Sequence, residues 1–269
     1  MNFLTKKNRI LLREMVKTDF KLRYQGSAIG YLWSILKPLM MFTIMYLVFI
    51  RFLRLGGNVP HFPVALLLAN VIWSFFSEAT SMGMVSIVSR GDLLRKLNFS
   101  KHIIVFSAVL GALINFLINL VVVLIFALIN GVTISGYASL SLSLFLFIEL
   151  VVLVLGIALL LSNVFVYYRD LAQVWEVLLQ AGMYATPIIY PITFVLDSHP
   201  LAAKLLMLNP VAQMIQDFRY LLIDRANVTI WQMSTNWFYI VIPYLVPFVI
   251  LFIGIFVFKK NADRFAEII

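Results

Sequence analysis

The chain has 269 residues, 62% of them hydrophobic and 12% charged, with a net charge of +9 and no cysteine. This composition leaves no room for a soluble domain beside the apolar stretches, and without cysteine there is neither a disulfide framework nor a thiolate metal site. Nor does the positive charge mark a nucleic-acid binder, because most of it flanks the apolar stretches, where anionic lipid head groups are its natural partners.

In chain order, the first twenty residues are densely charged and lack an apolar core, so no cleavable signal peptide is expected. Residues 5–23 predict an amphipathic helix lying on the inner membrane surface. At about 100° per residue Lys6, Arg13, Lys17 and Lys21 fall within roughly 80° of one another, opposite Leu11, Leu12, Met15 and Leu22. Six nearly uncharged stretches follow, at roughly 32–54, 62–88, 103–130, 139–166, 171–192 and 236–258. Each approaches or exceeds the ~20 residues that cross a hydrocarbon core of ~30 Å. With a cytoplasmic N-terminus, sixteen of the 21 Lys and Arg lie inside, leaving Arg51, Arg54, Lys204, Arg219 and Arg225 outside. That bias predicts six transmembrane helices with both termini cytoplasmic.

The one sizeable inner loop is 89–101, with a helical core near Asp92–Leu97. Arg90, Arg95, Lys96 and Lys101 are expected to face the cytoplasm, beside an apolar patch of Leu93, Leu94 and Leu97, which suits the docking of a partner protein. Thr186-Pro187 and Pro191 interrupt the fifth stretch, since proline removes a backbone donor and kinks a helix. The outer loop 193–235 carries helix-like runs at about 201–208 and 211–224, expected to be half-buried at the outer interface with Gln213, Gln216 and Asp217 off the apolar face.

Glu78, Glu149 and Glu176 lie within spans, where a charge is costly and points to function or to a polar partner. No His accompanies them there, so no acid–base relay is evident. Lys37, just before Pro38, lies near enough to the inner surface to snorkel. Tyr46, Trp73, Tyr184 and Tyr190 are candidates to line a channel in which flat rings slide against sugar rings, although packing or an interfacial belt accounts for any single one of them. There is no phosphate-binding loop of the Gly-x-x-x-x-Gly-Lys-Ser/Thr type, so this chain does not bind ATP in that way, and if it pumps, its energy has to arrive through a partner.

The run Arg23-Tyr-Gln-Gly-Ser-Ala-Ile-Gly-Tyr-Leu-Trp-Ser-Ile-Leu-Lys-Pro38 resembles the opening signature of ABC transporter type-2 export permeases. The resemblance is to the branch that exports polysaccharides and polyol-phosphate polymers such as O-antigen and teichoic acid. It extends over nearly the whole chain through the charged loop, Tyr168-Arg-Asp170, Thr186-Pro-Ile-Ile-Tyr-Pro191 and Asn209-Pro210. It implies a single transmembrane domain spanning 1–269 that pairs with a second copy and two separate ATPase subunits, ATP and Mg being bound by those partners and no cofactor by this chain. Residues 1–28 would be a gate helix where a lipid-linked polymer enters, with Lys21, Arg23, Tyr24, Gly26, Ser27, Gly30, Trp33 and Lys37 as gate residues. Arg90, Asp92, Leu93, Leu94, Arg95, Lys96 and Lys101 would form a coupling helix seated on the ATPase, and 193–235 would cover the outer mouth by short re-entrant or interfacial helices. Lys37 departs from the family pattern, which has an apolar or aromatic residue there. The implied location is the cytoplasmic membrane, multi-pass, with no nucleic-acid partner.

Two other readings stay open on residues alone. An ion-gradient-driven carrier or lipid flippase would need a midplane ion site, for which the isolated glutamates are thin support. A membrane-embedded transferase would need an acid–base or metal constellation, and Asp92, His102 and Asp170 are too sparse to form one.

Overall fold

The computed structural model describes residues 6–24, 29–56, 59–96, 99–133 and 136–268, the side chains of Phe20, Leu22, Arg23, Tyr24, Ala266 and Glu267 excepted. Among the described residues all regular structure is helical. The predicted surface helix is α1 (Lys6–Tyr24). The first span starts with a 3₁₀ turn at Gly30–Leu32, continues as α2 (Trp33–Met45) and loosens into wider π-type turns at Tyr46–Phe52. There follow α3 (Phe62–Ser89), the short α4 (Gly91–Lys96), α5 (His102–Ile129) and α6 (Gly136–Tyr167). After α7 (Leu171–Ala185) come α8 (Ile192–Ser198), α9 (Pro200–Met207), α10 (Pro210–Leu222) and α11 (Ile230–Met233). The chain closes with α12 (Trp237–Asn261) and α13 (Phe265–Ile268).

Five of these elements, at 30–52, 62–89, 102–129, 136–167 and 237–264, are long and apolar enough to cross a membrane. The predicted span at 171–192 is not one of them as a continuous helix. Pro187 forces Thr186 into an extended conformation (φ −87°, ψ 139°), and α7 stops at 15 residues, about 22 Å.

Helix α3 is the hub. Its most apolar stretch is 78% buried, against 22% in α5 and 17% in α12, so α3 packs against protein while its neighbours keep lipid- or partner-facing sides. It packs on α5 and α6, and α6 packs along α12. That last pair is held close by Gly156 and Gly254: a Cβ on Gly254 would meet the Gly156 carbonyl oxygen at 2.6 Å. Small residues at a crossing let helix backbones approach in lipid, where no hydrophobic force draws helices together.

Helix α10 differs from expectation. Gln213, Gln216, Asp217 and Arg219 are buried, so it is an internal helix wedged against α6 and α3 and not a half-exposed one. Arg219, counted above among outside charges, is fully enclosed. Its guanidinium donates to the carbonyls of Ala65 (3.1 Å), Pro187 (2.7 Å) and Ile188 (2.7 Å) and to Gln216 Oε1 (2.8 Å). The physical reason lies in the break after α7. Non-helical backbone away from water must have its carbonyls satisfied by other groups, and Arg brings five donors in one fixed fork.

Candidate functional site

The first span shows how a polar site is assembled inside an apolar bundle. Pro38 has no N–H, which leaves the Ser34 carbonyl without its helical donor. Asn119 of α5 reaches across to supply one at 3.1 Å, while also donating to the Asn115 carbonyl at 2.8 Å. Asn115 in turn donates to the Glu78 carboxylate at 3.1 Å. Proline, two amides and a carboxylate thus tie α2, α5 and α3 together.

Ser34, Pro38, Glu78 and Asn115 border an open cleft of about 770 Å³ between α2, α3 and α7. One wall is a stripe on α3, where Asn70, Ser74, Ser77, Glu78 and Ser81 recur every three or four residues and so share a face. Trp33 and Lys37 contribute from the first span, Glu176 and Gln180 from α7. Trp73 lies under α7 at Gly182, where a Cβ would meet the indole at 2.8 Å, so only glycine admits the ring. Trp175 pins the start of α7 by donating to Thr80 Oγ1 at 3.2 Å. The cleft therefore combines hydroxyls, amides, two carboxylates, an ammonium and indole faces. Such a surface binds a hydroxyl-rich ligand by hydrogen bonds and ring stacking.

Several predicted residues converge here. Trp33, Lys37 and Trp73 line the cleft, as do Glu78 and Glu176. Glu149 does not: it is fully buried on α6, away from the cleft lining. Of the other channel candidates, Tyr46 packs against Phe42 beneath Arg51, and Tyr190 donates to the Tyr184 and Ala185 carbonyls, capping α7. Tyr184 is exposed on α7. Gly30 opens the turn into α2 with φ +57°, a left-handed conformation that suits glycine. Lys21 is exposed on α1. Arg23 and Tyr24 occupy the last turn of α1 without described side chains, and Gly26 and Ser27 lie outside the described residues.

The 89–101 loop forms helix α4, with Asp92, Arg95 and Lys96 exposed and Leu93 half-buried. Leu94 is buried in the bundle, so the apolar patch is partly spent on holding the loop in place; Leu97 lies outside the described residues. Arg90 does not face solvent as expected. It forms an ion pair with Asp19 of α1 and donates to Ser107 of α5 at 2.9 Å. Lys101 also turns inward, donating to the Ala262 carbonyl, and α13 packs beside α4 with Phe265 fully buried. The loop is thus tied to both ends of the chain.

Sequence reasoning missed Asp19, Arg219 and the α3 stripe. The stripe was recoverable from its periodicity, since polar residues at a 3–4 spacing in an apolar helix mark a wet or interhelical face. Asp19 and Arg219 leave no local signal, because the partner of Asp19 is 71 residues away and the backbone carbonyls that hold Arg219 are 31 or more residues away. Two landmarks quoted as separate motifs do meet: Asn209 caps α10 by accepting from Val211 N–H at 3.0 Å and donates to Thr186 Oγ1 at 3.3 Å.

Comparison with known proteins agrees with this architecture. The profile of the family described as "ABC-2 type transporter" matches residues 10–223. An O-antigen export system permease protein RfbA of Klebsiella pneumoniae is 27% identical over 262 residues, covering 96% of this chain and 95% of that protein. A protein of the same name from Myxococcus xanthus is 27% identical over 209 residues, 78% of each chain. With several apolar membrane-crossing helices in one bundle and a family match over most of its length, the chain belongs to the ABC-2 type transporter family, as a multi-pass protein of the cytoplasmic (inner) membrane.

Proposed function

We propose that this chain is the membrane subunit of an ATP-driven exporter that moves a lipid-linked cell-surface polysaccharide or polyol-phosphate polymer from the cytoplasmic side outward. The observation that carries this reading is the side-opening cleft. It offers the hydroxyl, amide and indole groups that a sugar chain uses, and it lies between the first span and α7. No residue of α7 is buried in the single chain. A second copy covering α2 and α7 turns two half-clefts into a tunnel, which a long hydrophilic polymer needs more than a closed pocket. The O-antigen export name of its relatives supports the substrate class.

In this reading the fifth crossing is completed by the extended 186–191 segment after α7. Arg219 joins that segment to Ala65 in the first turns of α3, which supports α7 running from the α6 end to the opposite end of the bundle. Six crossings then place both termini in the cytoplasm. Asp92, Leu93, Arg95 and Lys96 meet the ATPase, which binds ATP and Mg, and Arg90 relays its motion to the gate helix α1. Purification of the tagged chain in nanodiscs, with subunits counted by mass, tests the proposal. Two copies with two ATPase subunits are expected, and a homo-oligomer with no ATPase, in cells expressing its native neighbours, would overturn it.

A further inference from the structure

A second cavity, of about 780 Å³, lies between α1 and the outer side of α5 and shares no described lining residue with the cleft. Its cations are Arg9, Arg13, Lys17 and Lys21, spaced four apart so that they form one row along α1, and among the described residues no acidic one lines it. Among the described residues none of the four is in an ion pair. Their row is separate from the face that holds α1 to the bundle, where Met15 is buried and Asp19 pairs with Arg90. The opposite wall is aliphatic: Leu110, Leu113, Ile114 and Leu117 of α5. Tyr31 stands at the cavity and, among the described residues, is the only neutral hydrogen-bonding side chain in its lining.

We infer that this groove binds a bilayer phospholipid with an anionic head group. Its phosphate is held by Arg13, Lys17 and Lys21, and its acyl chain lies along α5. Charge complementarity selects the head group, and the aliphatic wall selects the chain. A neutral glycan would leave the four cations without a counter-charge and the aliphatic wall without an apolar partner. The depth also fits. Helix α5 has 28 residues, about 42 Å, against a hydrocarbon core of ~30 Å. With its outer end level with the core boundary, about eight residues project on the α1 side, which puts Leu110 at the head-group level. The bound lipid fixes α1 against α5 independently of the transported polymer.

Native mass spectrometry of the full-length chain, purified with any subunits that accompany it, provides the test. Phosphatidylglycerol and phosphatidylcholine of equal chain length are titrated separately. The expected result is one phosphatidylglycerol held per chain in preference to phosphatidylcholine. Arg13→Gln with Lys17→Gln should weaken it about tenfold or more. Leu113→Trp, which keeps every charge but fills the apolar wall, should also displace it. Equal binding of both lipids, or unchanged binding in the double variant, would overturn the inference. Lipid extracted from the purified protein decides the source. A phospholipid lost in the Arg13/Lys17 variant supports the site, whereas a polyprenyl phosphate carrier lost in its place assigns the groove to the substrate and overturns it. None of these readouts depends on export, so the transport reading stands or falls separately.

Discussion

At the scale of single residues, Arg219 is the clearest case of a charge whose role depends on its surroundings. In the sequence it is one of five cations on the less positive side of the membrane; in the fold it occupies a fully enclosed site and serves three backbone carbonyls. Hydrogen bonds to a charged group contribute about 1.5–3 kcal/mol each, and an unsatisfied buried acceptor costs about 1–3 kcal/mol. Arg219→Met keeps much of the volume while removing every donor. It should destabilise the bundle by about 3 kcal/mol or more, seen as a lower unfolding temperature in detergent and less protein in the membrane. Arg219→Lys should recover only part of this, because an ammonium cannot span carbonyls contributed by α3 and by the 187–188 segment. Arg225, exposed just beyond α10, is the control: its replacement by Met should change neither measurement.

At the scale of elements, the informative joint is between α1 and the 89–101 loop. Arg90 was read as one more basic residue on a docking loop, and the structure instead turns it inward onto Asp19. The ion pair is partly exposed, so its contribution to stability is small. In the export reading its value lies in geometry, because a push on α4 would be delivered to α1 through a charged, directional contact. Arg90→Gln should leave insertion and ATP hydrolysis near normal while lowering export severalfold. The exchanged pair, Asp19→Arg with Arg90→Asp, should recover a good part of the export lost by either single change. No recovery would show that the two residues act separately. Arg95→Glu, on the exposed side of α4, should weaken association with the ATPase, a distinct phenotype measured by co-purification. The α6–α12 crossing gives an expectation of another kind. Gly254→Leu drives a side chain into the Gly156 backbone, so it should separate the two helices and sharply lower the yield of folded protein.

At the scale of the whole molecule, what could be read from the sequence was what hydropathy and charge encode. The helical class, the amphipathic α1 and most span positions follow from periodicity over twenty or more residues, and the structure keeps them within a few positions. What could not be read was set by long-range pairing. The inward turn of Arg90, the burial of Gln213 and Asp217, and the split of 171–192 into a short helix and an extended segment all depend on partners supplied by other helices. The cleft falls between these cases. The resemblance places Trp33 and Lys37 at a gate, a flat ring makes Trp73 a channel candidate, and their common surface exists only where α2, α3 and α7 come together. That surface makes the strongest demand on the export reading, since blocking it should stop transport without disturbing the fold. Ser77 is half-buried in the middle of the α3 stripe, where its hydroxyl only donates back to the Ser74 carbonyl at 3.1 Å. Ser77→Trp fills much of the open space, whereas Ser77→Ala removes a single hydroxyl. If the polymer passes along this wall, Ser77→Trp should abolish surface polymer at normal membrane abundance and normal ATPase association, and Ser77→Ala should export near the wild-type level. Normal export by the tryptophan variant would place the polymer path elsewhere in the bundle, leaving the cleft as a structural seam between helices.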